Sequence, residues 1–309
     1  MNLKEGLILK STGSWYTVKA LEGEIVKCTI KGKLRTFDFR STNPVAVGDR
    51  VKFETIDFKT GVIVDIFDRK NYIIRKASNL SKQTHIIAAN VDQAVLVITL
   101  AFPETSFEFI DRFLAAAEAY RIPVIITINK VDLYEETLAE LIRDVYDIYE
   151  PIGYRVIETS IFQPNKLDLL KSLIEHKTSV LSGNSGVGKT SLINTLYPGI
   201  DLRVNEISDY SMKGKHTTTY AEMIELPGGG YLIDTPGIKG FGLIDMEREE
   251  IYHFFPEIFK FAAFCQYHNC LHIEEPNCAV KSAVEKGEID ANRYYSYRSI
   301  LDDKNSKYR

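Results

Sequence analysis

The 309-residue sequence predicts an α/β fold with a small β-barrel before it and a helical, cysteine-bearing module after it. Three observations predict this arrangement. Residues 1–77 break into short β-prone runs, residues 78–240 alternate β-branched runs with helical stripes, and three of the four cysteines crowd into residues 265–278.

In the first piece the runs are Glu5–Lys10, Trp15–Ala20, Glu24–Ile30, Lys33–Phe37, Arg50–Ile56 and Gly61–Phe67. Gly13, Gly23, Gly32, Asn43-Pro44, Gly48-Asp49 and Gly61 separate them. Short strands with regular turn signals and no helical stripe make a small barrel, OB-like or SH3-like in size. In the second piece the apolar run Ala94–Leu100 precedes a helix over Ser106–Tyr120, with Ser106 as N-cap. Strand Val124–Ile128, helix Glu135–Tyr149, strand Tyr154–Thr159, helix Leu167–His176, strand Ser179–Leu181 and a helix from Lys189 follow. This alternation implies a parallel sheet covered on both faces. Tyr220–Leu226 and Tyr231–Asp234 flank Pro227–Gly230 and predict a hairpin at one sheet edge. Beyond residue 241 the pattern is helical. The chain divides as 1–77, 78–240 and 241–309, and its length suits several cores better than one.

Hydrophobic residues make up 45% and charged residues 26%, which excludes a disordered chain. Charges appear too early for a secretory leader, and the longest apolar run, Ala94–Phe102, is too short to cross a bilayer. A cytoplasmic monomer with no membrane partner is expected. Net charge is −4, but residues 1–77 carry 15 basic against 9 acidic residues, and the remainder 23 against 33. A basic module on an acidic body suits contact with phosphate backbones. Trp15, Tyr16, Phe37 and Phe39 interleave there with Lys31, Lys33, Arg35 and Arg40, as stacking beside phosphate contacts would require. Barrel core is the better reading for those aromatics that alternate along a strand.

Gly183, Asn184, Ser185, Gly186, Val187, Gly188, Lys189 and Thr190 match the P-loop pattern GxxxxGK[ST] between a strand and a helix, with Ser191 in that helix's first turn. Its glycines let backbone N–H groups form an anion nest, and the helix N-terminus adds its dipole. Lys189 is placed to reach β- and γ-phosphates, and the Thr190 hydroxyl to join a Mg²⁺ shell. Asn129, Lys130, Val131 and Asp132 follow strand Val124–Ile128 and resemble the NKxD motif of GTPases. The Asp132 carboxylate can accept from the N1–H and exocyclic amine of guanine, a donor pair that adenine lacks. Ser160 and Ile161, at the next strand end, match the loop that backs guanine. Asp234-Thr-Pro-Gly237 resembles DxxG, with Asp234 holding Mg²⁺ through water and the Gly237 N–H sensing the γ-phosphate. Within Gly214–Thr219, Thr218 or a neighbouring threonine is the candidate switch I ligand to Mg²⁺.

The order of these motifs is permuted: NKxD precedes the P-loop, and DxxG comes last. Such a cut is tolerable where old termini lie close together. It leads the chain from DxxG straight into the C-terminal module, so nucleotide state is expected to be transmitted there. Ile238 occupies the position after DxxG where a glutamine often orients water, which leaves His216 as the candidate water-positioning group.

Cys265, Cys270 and Cys278 with a histidine suit a closed tetrahedral Zn²⁺ site that folds a segment too small for its own core. Spacing alone allows His268 or His272 as the fourth ligand.

Taken together, the barrel, the permuted motifs and Cys-x4-Cys-x-His-x5-Cys resemble the bacterial ribosome small-subunit-dependent GTPase A family (RsgA/YjeQ). Ala89-Asn-Val-Asp92 and Asp111-Arg-Phe-Leu114 belong to the same resemblance, which spans nearly the whole chain. It implies an OB-fold barrel, GTP hydrolysis to GDP and phosphate stimulated by the small (30S) ribosomal subunit, a role in late subunit maturation and contact of the barrel with ribosomal RNA. It also implies His272 as the zinc ligand and strengthens His216. The chain departs from the family in lacking the longer leading arm of some members and in carrying Ile161 where a small residue is usual.

Overall fold

A computed structural model describes residues 3–32, 34, 44–76, 84–134, 136–200, 221–234 and 247–306. Strands β1 (Leu3–Ser11), β2 (Tyr16–Ala20), β3 (Ile25–Ile30), β4 (Arg50–Thr55) and β5 (Thr60–Ile66) alternate inward and outward side chains. They close in the order β1-β2-β3-β5-β4-β1, with β3 and β5 parallel, which is the OB-fold barrel. Ile8, Tyr16, Val18, Val26, Phe53 and Ile63 fill it. Closure leaves no free edge among these strands.

A strand pair that the sequence pattern did not indicate follows. β6 (Tyr72–Lys76) and β7 (Thr84–Ala89) form an antiparallel two-stranded sheet, tied to the barrel by the Val47–Ala88 bridge. Buried Asp49 fixes the loop beneath it, accepting from Arg69 Nε and Nη2 at 2.7 Å each and from Ala46 N at 2.7 Å. This two-pronged geometry orients the arginine plane as well as pairing its charge.

The α/β unit contains β8 (Gln93–Ile98), α1 (Phe107–Ala119), β9 (Val124–Ile128), α2 (Glu136–Tyr149), β10 (Arg155–Glu158), α3 (Asn165–Ile174), β11 (Thr178–Ser182), α4 (Lys189–Leu196), β12 (Glu222–Glu225) and β13 (Tyr231–Asp234). Strand order is β10-β9-β8-β11-β13-β12, parallel except for β12. Period-2 alternation sorts the two faces. Ala94, Leu96 and Ile98 of β8 face Ile110, Phe113 and Val145 of α1 and α2, while Val95 and Val97 join Leu170, Leu192 and Ile193 of α3 and α4. Ser106 caps α1, its Oγ accepting from Phe109 N at 3.3 Å.

The β12–β13 hairpin exists, but it does not end the sheet. β12 pairs with β1 at Lys10–Glu222, and the ion pairs Lys10–Glu222 and Lys19–Glu225 join barrel to sheet. The barrel therefore covers the edge that the hairpin pattern alone leaves open.

After residue 246 come a 3₁₀ segment (Arg248–Phe254), α5 (Pro256–Ala262), α6 (Ala279–Glu285) and α7 (Ala291–Ser306). Ile251, Phe255, Ile258, Val280, Tyr297 and Leu301 form their own core, which reaches Ala115 of α1.

Candidate functional site

The carboxyl ends of β8, β9, β10 and β11 converge, and there the P-loop and the NKxD loop meet. In parallel sheets ligands bind beyond these ends. Gly183, Gly186 and Gly188 take positive φ, at 140°, 82° and 93°. A Cβ on Gly183 would lie 2.1 Å from Val97 O, and one on Gly188 2.6 Å from Asn129 Nδ2. Only glycine admits both the turn and the approach. Gly188 caps α4, whose first turn carries Lys189, Thr190 and Ser191. Lys189 Nζ donates to the loop carbonyls of Gly183 (2.8 Å) and Asn184 (2.6 Å). Val187 is buried, whereas Ser185 and Gly186 are exposed.

Asn129 Nδ2 donates to Val187 O at 2.8 Å, and its Oδ1 accepts from Thr159 Oγ1 at 3.0 Å. One side chain thus ties three strand ends together. Lys130, at φ 62°, donates through Nζ to Phe102 O and Gly186 O, both at 2.7 Å. Val131 and Asp132 lie in a 3₁₀ turn, Val131–Leu133, and Asp132 Oδ1 accepts from Ser160 Oγ. Ser160 Oγ in turn accepts from Phe162 N at 3.1 Å. A cleft of about 200 Å³ is lined by Asn129, Lys130, Asp132, Leu133, Ile161, Phe162, Gly188 and Ser191. Residues from both motifs therefore share one cavity.

Sequence pattern did not single out Tyr134, yet its hydroxyl donates to Asn129 O at 2.8 Å and accepts from Leu100 N at 2.9 Å. Burial raises the phenol above its ordinary pKa, against the backbone donors of Leu100 and Ala101, so it stays a donor at neutral pH. Asp234 ends β13 beside β11. His216, Thr218 and Gly237 lie outside the described residues.

A second constellation gathers Cys265, Cys270, His272 and Cys278, with all four donor atoms within 4.8 Å of one another. His272 Nδ1 lies 3.5 Å from Cys265 Sγ and 3.5 Å from Cys278 Sγ, and those sulfurs are 3.8 Å apart. Four donors converging on one point from a buried pocket form a metal-binding group. His272 takes φ 60° to turn its ring inward, and Tyr294 holds its carbonyl through a 2.6 Å hydrogen bond. Burial pushes the imidazole down to about 4, so it is neutral, as a ligand must be. His268 is exposed and outside the group.

Residues 66–244 match the family model described as RsgA GTPase, and residues 5–63 match that of the RsgA N-terminal domain. The chain belongs to the RsgA GTPase family. It is 54% identical to a Bacteroides fragilis protein named small ribosomal subunit biogenesis GTPase RsgA, covering 99% of each chain. Its identity to the protein of that name from Christiangramia forsetii is 52%, covering 99% of this chain and 98% of that one. The fold is similar to the crystal structure of YjeQ from Thermotoga maritima, with TM-score 0.81 and 34% identity over 98% of each chain. It is also similar to YloQ, described as a circularly permuted GTPase, with TM-score 0.76 and 31% identity, covering 99% and 96%.

Two further motifs of the RsgA resemblance act as joints. In Ala89–Asp92, Asn90 Nδ2 donates to Gly48 O at 2.9 Å, and Asp92 accepts from Lys70 Nζ at 3.0 Å and from Thr178 N at 2.8 Å. Barrel and sheet are thereby stitched together. In Asp111–Leu114, buried Asp111 accepts from Arg293 Nη1 at 2.9 Å and from Tyr149 OH at 2.7 Å. Arg293 also pairs with Glu257, so α7, α5 and α1 share one buried charge network. Burial disfavours the guanidinium, but the two carboxylates hold it protonated, above its ordinary value. In the barrel, Tyr16 is core and no stacking platform, because β2 turns it inward, while Trp15 is half-exposed. Lys31 is exposed; Lys33, Arg35, Phe37, Phe39 and Arg40 lie outside the described residues.

Proposed function

We propose that this RsgA-family chain binds GTP in the cleft shared by Asp132 and the P-loop and hydrolyses it as a small ribosomal subunit biogenesis factor. The subunit stimulates turnover, and the basic barrel contacts its RNA. One observation carries the nucleotide reading: Asn129 ties the two motifs into one wall, with Asp132 and Gly188 lining the same cavity. Asp132 accepts from the guanine edge, and Lys130 covers the base. Ser160 and Ile161 back it.

Backbone N–H groups of Gly183–Gly188 and the α4 N-terminus hold the phosphates. Lys189 then exchanges the carbonyls of Gly183 and Asn184 for β- and γ-oxygens. Thr190, Thr218 and Asp234 would hold Mg²⁺, which supplies neutralisation of the phosphate charge. Gly237 donates to the γ-phosphate, and His216 positions the attacking water.

Zinc fits the cysteine cluster. Zn–S of about 2.3 Å and Zn–N of about 2.0 Å at tetrahedral angles require S···S near 3.8 Å and S···N near 3.5 Å, the spacings of Cys265, Cys278 and His272. A closed shell of four protein donors is structural. The chain works in the cytoplasm as a monomer.

Steady-state GTP hydrolysis with and without purified small subunits tests the proposal, with Asp132→Asn as a second arm. Subunits should raise turnover, and the variant should shift preference from GTP to xanthosine triphosphate. Equal turnover with and without subunits would overturn the reading.

A further inference from the structure

We infer that Phe162 is an aromatic wall of the base pocket and stacks on the face of the bound purine. This rests on the guanine-nucleotide reading above and adds to it a residue that neither the NKxD motif nor the P-loop supplies.

A carboxylate at Asp132 reads only the edge of a base. A planar bicyclic ring held by its edge leaves both faces wet, and stacking an aromatic side chain on one face is worth about 1–3 kcal/mol. Lys130 supplies one cover: its Nζ is tethered to Phe102 O and Gly186 O, which fixes the aliphatic stem at the cleft. The remaining apolar lining groups are Leu133, Ile161 and Phe162. Ile161 is half-buried and already packs against the core beneath α3 and α4, so little of it is free. Leu133 offers an aliphatic side chain with no π-face.

Phe162 differs from both. It is 75% exposed, although it lines a cavity. An aromatic ring left in water at a concave site is a ready surface for a planar ligand. Its backbone is fixed. Phe162 N donates to Ser160 Oγ at 3.1 Å, and the same hydroxyl donates to Asp132. The residue offering the ring face and the carboxylate reading the base edge are thus held in register through one serine. Stacking tolerates any base, so Phe162 sets affinity, and Asp132 sets which purine is chosen.

Calorimetric titration of the full chain with GDP tests this, using Phe162→Ala, Phe162→Leu and Phe162→Tyr. The ring is exposed, so none of the three should lower the melting temperature. Phe162→Ala should raise Kd about tenfold, Phe162→Leu should fall between, and Phe162→Tyr should stay within twofold of the parent. A Kd for Phe162→Ala within twofold of the parent overturns the inference. A second readout uses Trp15 as the sole tryptophan: in a Trp15→Phe background, Phe162→Trp should lose fluorescence saturably on GDP addition, and an unchanged signal counts against the stack. Failure of the parent chain to bind GDP would instead sink the nucleotide reading. GDP binding that depends on Asp132 but not on Phe162 would sink the stack alone.

Discussion

Asn129 Nδ2 donates to the carbonyl of Val187 at 2.8 Å across 58 positions of sequence, so the NKxD loop and the P-loop are held by a single amide. That contact is possible only because Gly188, next to Val187, has no side chain. A Cβ there would press to 2.6 Å from the same amide nitrogen, and φ of 93° adds backbone strain. Gly188→Ala should therefore separate the two loops, costing about 1–3 kcal/mol locally and at least about tenfold in GDP affinity. Calorimetry together with thermal denaturation reads both effects. A variant that binds GDP like the parent would show that the two loops are independent.

Tyr134 acts on the same loop from below. Its hydroxyl bridges Asn129 O and Leu100 N, so Tyr134→Phe leaves both backbone groups short of a partner in a half-buried site. The expected cost is about 1–2 kcal/mol. It should appear in KM for GTP, with kcat unchanged, since the contact orients the base and touches no reacting atom. Its raised pKa gives a sign as well. The donor form, and the stability it brings, persists below the ordinary phenol value of about 10 and is lost only as pH rises beyond it. GTP affinity should thus show no titration from this group between about pH 6 and 9.

Much of this architecture is legible in local sequence, for a physical reason. Val124–Ile128 and Tyr231–Asp234 are apolar runs ended by turn chemistry, and the strands form over those limits. Ser106 sets the start of α1 because a hydroxyl there meets an orphan N–H. Contacts that depend on a distant partner leave no such trace. The pairing of β12 with β1 spans 212 positions at Lys10–Glu222, and the β6–β7 pair has too few alternating residues to announce itself. Phe162 and Tyr134 carry no motif, so only their placement around Asn129 and Asp132 identifies them. Tyr16 shows the converse: adjacency to Trp15 suggests a surface pair, but a strand sends neighbours to opposite faces.

Arg293 is the clearest of these long-range residues. It is fully buried, 182 positions from Asp111, and it neutralises Asp111 and Glu257 together. Arg293→Met should lower stability by about 3–5 kcal/mol, because it strands two buried carboxylates. Adding Asp111→Asn and Glu257→Gln to Arg293→Met should recover most of that loss, since no charge is then uncompensated. Denaturant titration of the parent, the single and the triple variant separates this from lost packing: if the triple variant is no better than the single one, packing is the cause. Together with the packing of Ala115 against the helical core, this network anchors the C-terminal helices to α1.

The cysteine cluster allows a count. Cys265, Cys270 and Cys278 supply the metal group, while Cys28 is buried in the barrel, where burial pushes its thiol up to about 12. A thiol that stays protonated and enclosed does not react. Titration of the native protein with a thiol reagent should therefore find none of the four cysteines while metal is bound. Three should react after chelation, and the fourth only on denaturation. Cys270 and Cys278 also belong to the small core formed with Ile251, Phe255 and Val280, so removing the metal should loosen that core. The 265–278 loop should then become protease-sensitive, while α7 stays docked through Arg293 and GDP binding is kept, because no cluster residue lines the nucleotide cleft. His272→Ala should lose the metal and His268→Ala should retain it. The reverse result would move the fourth ligand to the exposed histidine and contradict the convergence of His272 Nδ1 on the two sulfurs.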